Sequence, residues 1–206
     1  EFRRVLFRSV IGGGFVGLEM AENLRERGLD VTLIVGKHHL LAPFDKDIVL
    51  SVEKEILANG IDIISNDEVK AFKDNGNNIE ITFDTDKKVT ADMAILAIGV
   101  FPDTDFLKDS GIKLGPKGHI IVNEKMETAA EGVYAVGDAI EIVDFVNKQK
   151  GAVPLAGPAN KQGRIAADNI AGINRLYKGT QGTAIIKVFD LTAATTGNNE
   201  RTLTRL

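Results

Sequence analysis

The sequence of 206 residues holds no Cys and no Trp, is 44% hydrophobic and carries a formal charge of −4. That length admits one large domain or two modest ones with ample apolar residues for a core, while the missing thiols exclude disulfides, thiolate metal sites and a cysteine nucleophile within these residues. No apolar run approaches a membrane span, no secretory signal pattern begins the sequence, and the acidic balance disfavours a nucleic-acid surface, so a cytoplasmic protein with neither membrane nor nucleic-acid partner is expected.

Glu1 to Ser9, E-F-R-R-V-L-F-R-S, resembles the in-frame translation of a common sequencing adapter and is set apart as residues 1–9, a fusion scar. Arg8 supports this, because a buried parallel strand is apolar on both faces. Dropping Glu1, Arg3, Arg4 and Arg8 takes the formal charge from −4 to −6. On this reading the gene is joined in mid-protein and the native N-terminus is missing.

Val10 to Met20 then reads V-I-G-G-G-F-V-G-L-E-M. A short apolar run leads into Gly12, Gly14 and Gly17 in GxGxxG spacing. One glycine makes the tight turn, the next lets backbone approach a pyrophosphate, and the third lets helix and strand pack closely. Phe15, Val16 and Gly17 would open the helix, placing their N–H groups where the peptide dipoles favour negative charge. Leu18, Ala21 and Leu24 give that helix an apolar face, Gly28 stops it, and Val31 to Val35 forms a second strand. His38 and His39 are adjacent, so they point apart and read as a solvated loop rather than a metal pair. Asp45 is placed as the N-cap of a helix to Ala58 with Ile48, Val49, Val52, Ile56 and Leu57 inward. Ile61 to Ile64 completes a βαβαβ half of a doubly wound sheet.

Val69 to Phe72, Ile79 to Phe83 and Lys88 to Thr90 read as an antiparallel meander, with Asn75-Gly76 as a turn. Met93 to Ile98 returns as an apolar strand. Gly118 to Val122 and Gly132 to Val136 are further expected strands, the latter ending in Gly137-Asp138. Pro154 to Pro158 reads as a loop. Ala159 to Ile170 reads as a helix with Ile165, Ala166 and Ile170 inward and Asn160 and Gln162 outward. Ala184 to Leu191 is rich in strand formers.

Three separated motifs, G-G-G-F-V-G-L-E, A-I-G-V-F-P-D-T and G-V-Y-A-V-G-D, are similar to signatures of the pyridine nucleotide-disulfide oxidoreductase family. P-L-A-G-P-A-N-K-Q-G-R and K-V-F-D-L-T-A-A-T-T-G resemble its CoA-disulfide reductase and NADH oxidase branch. The resemblance implies an α/β fold: a Rossmann-like NAD(P)H-binding domain with an antiparallel meander over residues 10–122, and the C-terminal half of an FAD-binding domain over 123–182. Residues 183–206 would begin a dimerisation domain. The family's N-terminal FAD half, with its redox cysteine, would be missing, so the parent would be a homodimeric FAD-dependent NAD(P)H oxidoreductase and this fragment inactive. The acceptor would be a small disulfide or persulfide, such as CoA disulfide, or oxygen.

By the same resemblance Asp138 accepts a hydrogen bond from the ribityl chain of FAD, Gly137 leaves room for it, and Leu155 and Ala156 present backbone to the flavin. The helix that follows would stabilise charge on a reduced flavin. Phe15 matches an aromatic that covers the flavin, or is ordinary core. Glu19 matches an acid near the nicotinamide, or is a solvated first-turn acid. Gly99 lets the dinucleotide pass close to the sheet edge. One departure stands out: the acid that closes the second strand and binds the NAD ribose is replaced by Val35-Gly36, followed by Lys37. NADPH is therefore expected to be tolerated, with NADH still open. The alternatives are a ferredoxin- or rubredoxin-type flavin reductase, disfavoured by K-V-F-D-L-T, and a non-catalytic dinucleotide-binding module. A half domain is also expected to expose Val133, Tyr134, Val136 and Ile165 and to aggregate or disorder locally.

Overall fold

The computed structural model describes residues 7–37 and 39–206. The adapter-like residues 1–6 and His38 lie outside the described residues. In chain order the elements are β1 (Phe7–Ile11), α1 (Phe15–Glu26), β2 (Asp30–Val35), α2 (Lys46–Ala58), β3 (Ile61–Ser65), β4 (Val69–Asp74), β5 (Ile79–Phe83), β6 (Lys88–Ala91) and β7 (Met93–Leu96). There follow β8 (Ile120–Ile121), β9 (Ile140–Val143), β10 (Lys150–Gly151), α3 (Ala156–Ile170), β11 (Ala184–Val188), β12 (Leu191–Thr195) and α4 (Glu200–Thr204).

The described residues divide into two compact units, those up to Gly99 with 185–195 and 199–206, and residues 100–184 with 196–198. The motif-based boundary after Val122 thus falls inside the second unit. In the first, β3, β2, β1 and β7 lie in that order as a parallel sheet. Period-two alternation assigns its two faces. Val10 of β1 and Val31, Leu33 and Val35 of β2 pack with Leu18 and Ala21 of α1 and Val49, Val52 and Ile56 of α2. Ile11 and Ile34 point the other way, onto Ile81 and Phe83 of the antiparallel β4-β5-β6 meander. Helices, sheet and meander therefore form three layers. Ile48 and Leu57, expected inward, are 46% and 55% exposed, because the buried stripe of α2 runs only through Val49, Val52 and Ile56.

The first strand begins at Phe7, so residues 7–9, set apart with the scar, belong to the central sheet. Arg8 is accommodated there, 9% exposed, because its guanidinium lies 3.7 Å from the Asp92 carboxylate and donates to the Phe7 carbonyl at 3.2 Å. Asp92 in turn accepts from the Phe7 N–H at 2.7 Å.

In the second unit, β8 pairs parallel with β9, and β9 pairs antiparallel with β10. Gly132 to Val136 is not a strand; Tyr134 makes one isolated bridge to Glu127, and the strand forms later, at β9. Met126, Ile140, Ile142, Ala166 and Tyr177 build a small core. Of the residues expected to be bare, Val133 and Val136 are 40% and 39% exposed, whereas Tyr134 and Ile165 pack against that core. Ile170, expected inward, is 67% exposed. No helix among the described residues is long and apolar enough to cross a membrane.

Candidate functional site

The first unit places its glycine turn at the carboxyl end of β1, beside β7, where the strand order reverses and open α/β sheets take their ligands. Gly12 has φ +123°, and a Cβ there would be driven into the Ala97 carbonyl. A Cβ on Gly17 would be driven into the Gly12 carbonyl, so Gly17 lets α1 close on β1. Gly14 differs, since a Cβ there would meet nothing within 4 Å. It is the N-cap of α1, without a capping side chain, and the first turn of that helix carries no acid. The N–H groups of Phe15, Val16 and Gly17 thus open the helix toward a free space suited to a diphosphate.

Phe15 packs edge-on to Phe44, with ring centroids 6.2 Å apart, and joins the helix-side core. Val16 is 62% exposed. Glu19 is exposed but lies in the second turn, not the first, because the helix starts at Phe15. Gly99 follows β7 with φ +113° and open space where a side chain would stand.

A cavity of ≈320 Å³ adjoins the turn, lined by Gly12, Gly36, Glu68, Val69, Phe72 and Ile98 among others. A second, of ≈360 Å³, lies past the ends of β2 and β3 and is lined by Lys37, His39, Lys46, Ser65 and Asn66. Lys37 is not a free cation: its Nζ lies 3.2 Å from Glu68 Oε2 and 3.9 Å from Asp84 Oδ2. Glu68 and Lys46 carry no motif signal, since each reaches the site through tertiary packing.

In the second unit, Gly137 has φ +83° and opens a single 3₁₀ turn, Gly137–Ala139, that presents Asp138 to solvent. The turn is gripped by Gln162, whose Oε1 accepts the Gly137 N–H at 2.7 Å. Gln162 is therefore 2% exposed, contrary to its expected outward face. Helix α3 starts at Ala156, inside the expected loop, with Leu155 at the N-cap, no capping side chain and no acid in its first turn. Gly137, Asp138, Leu155 and Ala156 share this unit; the three motif glycines, Phe15, Val16, Glu19, Lys37 and Gly99 share the other.

Residues 4–163 match the family model described as pyridine nucleotide-disulphide oxidoreductase. The chain is 35% identical over 201 residues to the NAD(P)H sulfur oxidoreductase (CoA-dependent) of Pyrococcus abyssi, covering 97% of this chain and 45% of that protein. It is 39% identical over 189 residues to the coenzyme A disulfide reductase of Staphylococcus aureus, covering 91% of this chain and 42% of that one. The crystal structure of reduced Bacillus anthracis CoADR-RHD superposes with a TM-score of 0.91 at 46% identity, over 97% of this chain and 36% of that chain. The chain thus spans less than half the length of each of these three relatives.

Proposed function

Because the chain belongs to the pyridine nucleotide-disulphide oxidoreductase family, a family of NAD(P)H- and FAD-dependent oxidoreductases, we propose that its first unit seats NADH or NADPH and its second contributes part of an FAD site. The cradle carries this reading: two glycines whose side chains would strike backbone, a third facing open space, and an uncapped helix start beside a cavity. These residues fit a diphosphate. The N–H groups of Phe15, Val16 and Gly17 would offset its charge, a dipole effect of about 0.3–1 kcal/mol at an exposed helix end.

When bound, the nicotinamide supplies a hydride for the flavin to accept. Asp138 would hold the ribityl chain, Gly137 would make room for it, and the start of α3 at Leu155 and Ala156 would favour negative charge on the ring. Phe15 is committed to core packing in this conformation, and covering a flavin would require it to leave Phe44. Glu19, exposed on the same helix, would lie near the nicotinamide. The whole protein would pass electrons to a disulfide or persulfide such as CoA disulfide, or to oxygen, as a homodimer. The names of the Pyrococcus and Staphylococcus relatives favour a sulfur acceptor. With no Cys in the chain, a protein thiol relay needs residues beyond these 206.

Titrating the purified chain with NADH and NADPH, followed by coenzyme fluorescence, tests this. Saturable binding of either, without a stoichiometric yellow complex on adding FAD and without turnover, is the expected result. Failure to bind either coenzyme overturns it.

A further inference from the structure

We propose that Glu68 is the acceptor for the adenosine ribose hydroxyls, standing in for the strand-end acid that Val35-Gly36 lacks, and that with Lys37 it sets the choice between a free and a phosphorylated 2′-oxygen. This deepens the dinucleotide reading above and rests on it.

The argument begins at Gly36, the first residue past β2, where an acid would normally reach the ribose. A Cβ on Gly36 would lie 3.2 Å from Glu68 Cγ and 3.8 Å from its Oε1. The Glu68 side chain thus occupies the space into which a residue at position 36 would project. It arrives from the β3-β4 connection and is held there from two sides. The Asn66 N–H donates to the Gly36 carbonyl at 3.2 Å, tying the connection to the end of β2, and the Glu68 carbonyl accepts from the Asp84 N–H at 2.9 Å, tying it to the meander. Next to it, the Asp67 carboxylate is 6% exposed and accepts from the Thr85 backbone and hydroxyl, which anchors the turn without drawing on Glu68.

The cavity at this point has the composition that a nucleoside requires. Ile34, Val69, Phe72 and Ile98 supply apolar wall, Gly12 links it to the diphosphate turn, and Glu68 brings a carboxylate. That carboxylate is half exposed, at 47%, and shares one oxygen with Lys37 at 3.2 Å. A ribose diol donates to a carboxylate, so Glu68 favours NADH. A 2′-phosphate repels the carboxylate and attracts the ammonium, so NADPH draws Lys37 away from Glu68, toward the neighbouring cavity, where Lys46 and Lys37 outnumber the single carboxylate of Glu53 and His39 and Ser65 add polar groups. One ion pair thereby contains a recognition element for each coenzyme.

The test is the ratio of the NADH and NADPH dissociation constants for the 206-residue chain and two variants, with circular dichroism and Tm confirming the fold. Glu68→Gln, at a half-exposed position, is expected to move the ratio toward NADPH about tenfold, the effect of losing one charge-assisted contact. Lys37→Gln is expected to move it the other way. An unchanged ratio in folded Glu68→Gln, with wild-type binding intact, overturns this proposal and leaves the dinucleotide reading standing. Wild-type protein that binds neither coenzyme overturns both.

Discussion

Gly14 and Gly17 stand three positions apart yet respond oppositely to an added methyl group. At Gly17 it collides with the Gly12 carbonyl, at the contact that lets α1 close on β1. Gly17→Ala should therefore lower the Tm measurably, with overpacking of about 1–3 kcal/mol outweighing the gain in helix propensity. At Gly14 the methyl meets nothing, so Gly14→Ala should cost at most about 1 kcal/mol, from the poorer N-cap, while weakening coenzyme binding at least severalfold. Equal loss of stability in the two variants, or unaltered binding in Gly14→Ala, would show that the open space at Gly14 is not where the diphosphate approaches. The glycine turn itself was legible in the sequence because the demands of a strand-turn-helix junction are local. Glu68 was not, since nothing near it in sequence says that Gly36 has left a gap for it to fill. Arg8 misled for the reverse reason: a charge in a central strand reads as foreign until Asp92 appears beside it.

The strands and helices of the βαβαβ half and the meander were legible from apolar periodicity, although Ile48 and Leu57 of α2 and Ile170 of α3 face solvent, and the contacts made by single polar groups were not. The βαβαβ half and the meander follow from runs such as Val31–Val35 and Ile79–Phe83, which bury side chains at fixed spacing. Helix α2 has Asp45 at its N-cap as expected, but the Asp45 carboxylate accepts from the Glu200 N–H at 2.8 Å rather than from its own helix. Helix α3 turns its polar Gln162 inward because the Gly137 N–H needs an acceptor, and hydrophobic periodicity carries no trace of such a bond. Gln162→Leu would strand that donor, at a cost of about 1–3 kcal/mol, and free the Gly137–Ala139 turn. Hydrogen exchange should then quicken at Gly137 and Asp138 while the β1-β2 amides stay protected. Protection unchanged at Gly137 would mean that the turn holds its shape without α3.

Across the whole molecule the chain leaves the first unit after Gly99 and re-enters it at Ile185. The returning segment is anchored within that unit. The Phe189 N–H donates to Glu22 at 2.9 Å, Asn199 Nδ2 donates to the Ala42 carbonyl at 2.9 Å, and Ile186 and Val188 lie in one core cluster with Val10 and Val52. A single cut after the exposed Lys148, through a specific protease site inserted there, should give two pieces that elute together from a sizing column and part only in denaturant. Ile186→Ala, at about 2–5 kcal/mol, should loosen that association. Pieces that separate under native conditions would show the anchors to be too weak to hold the segment. Continuity of the polypeptide and integrity of the nucleotide-binding fold are then separate properties: two gene fragments, translated apart, would be able to reassemble it by complementation.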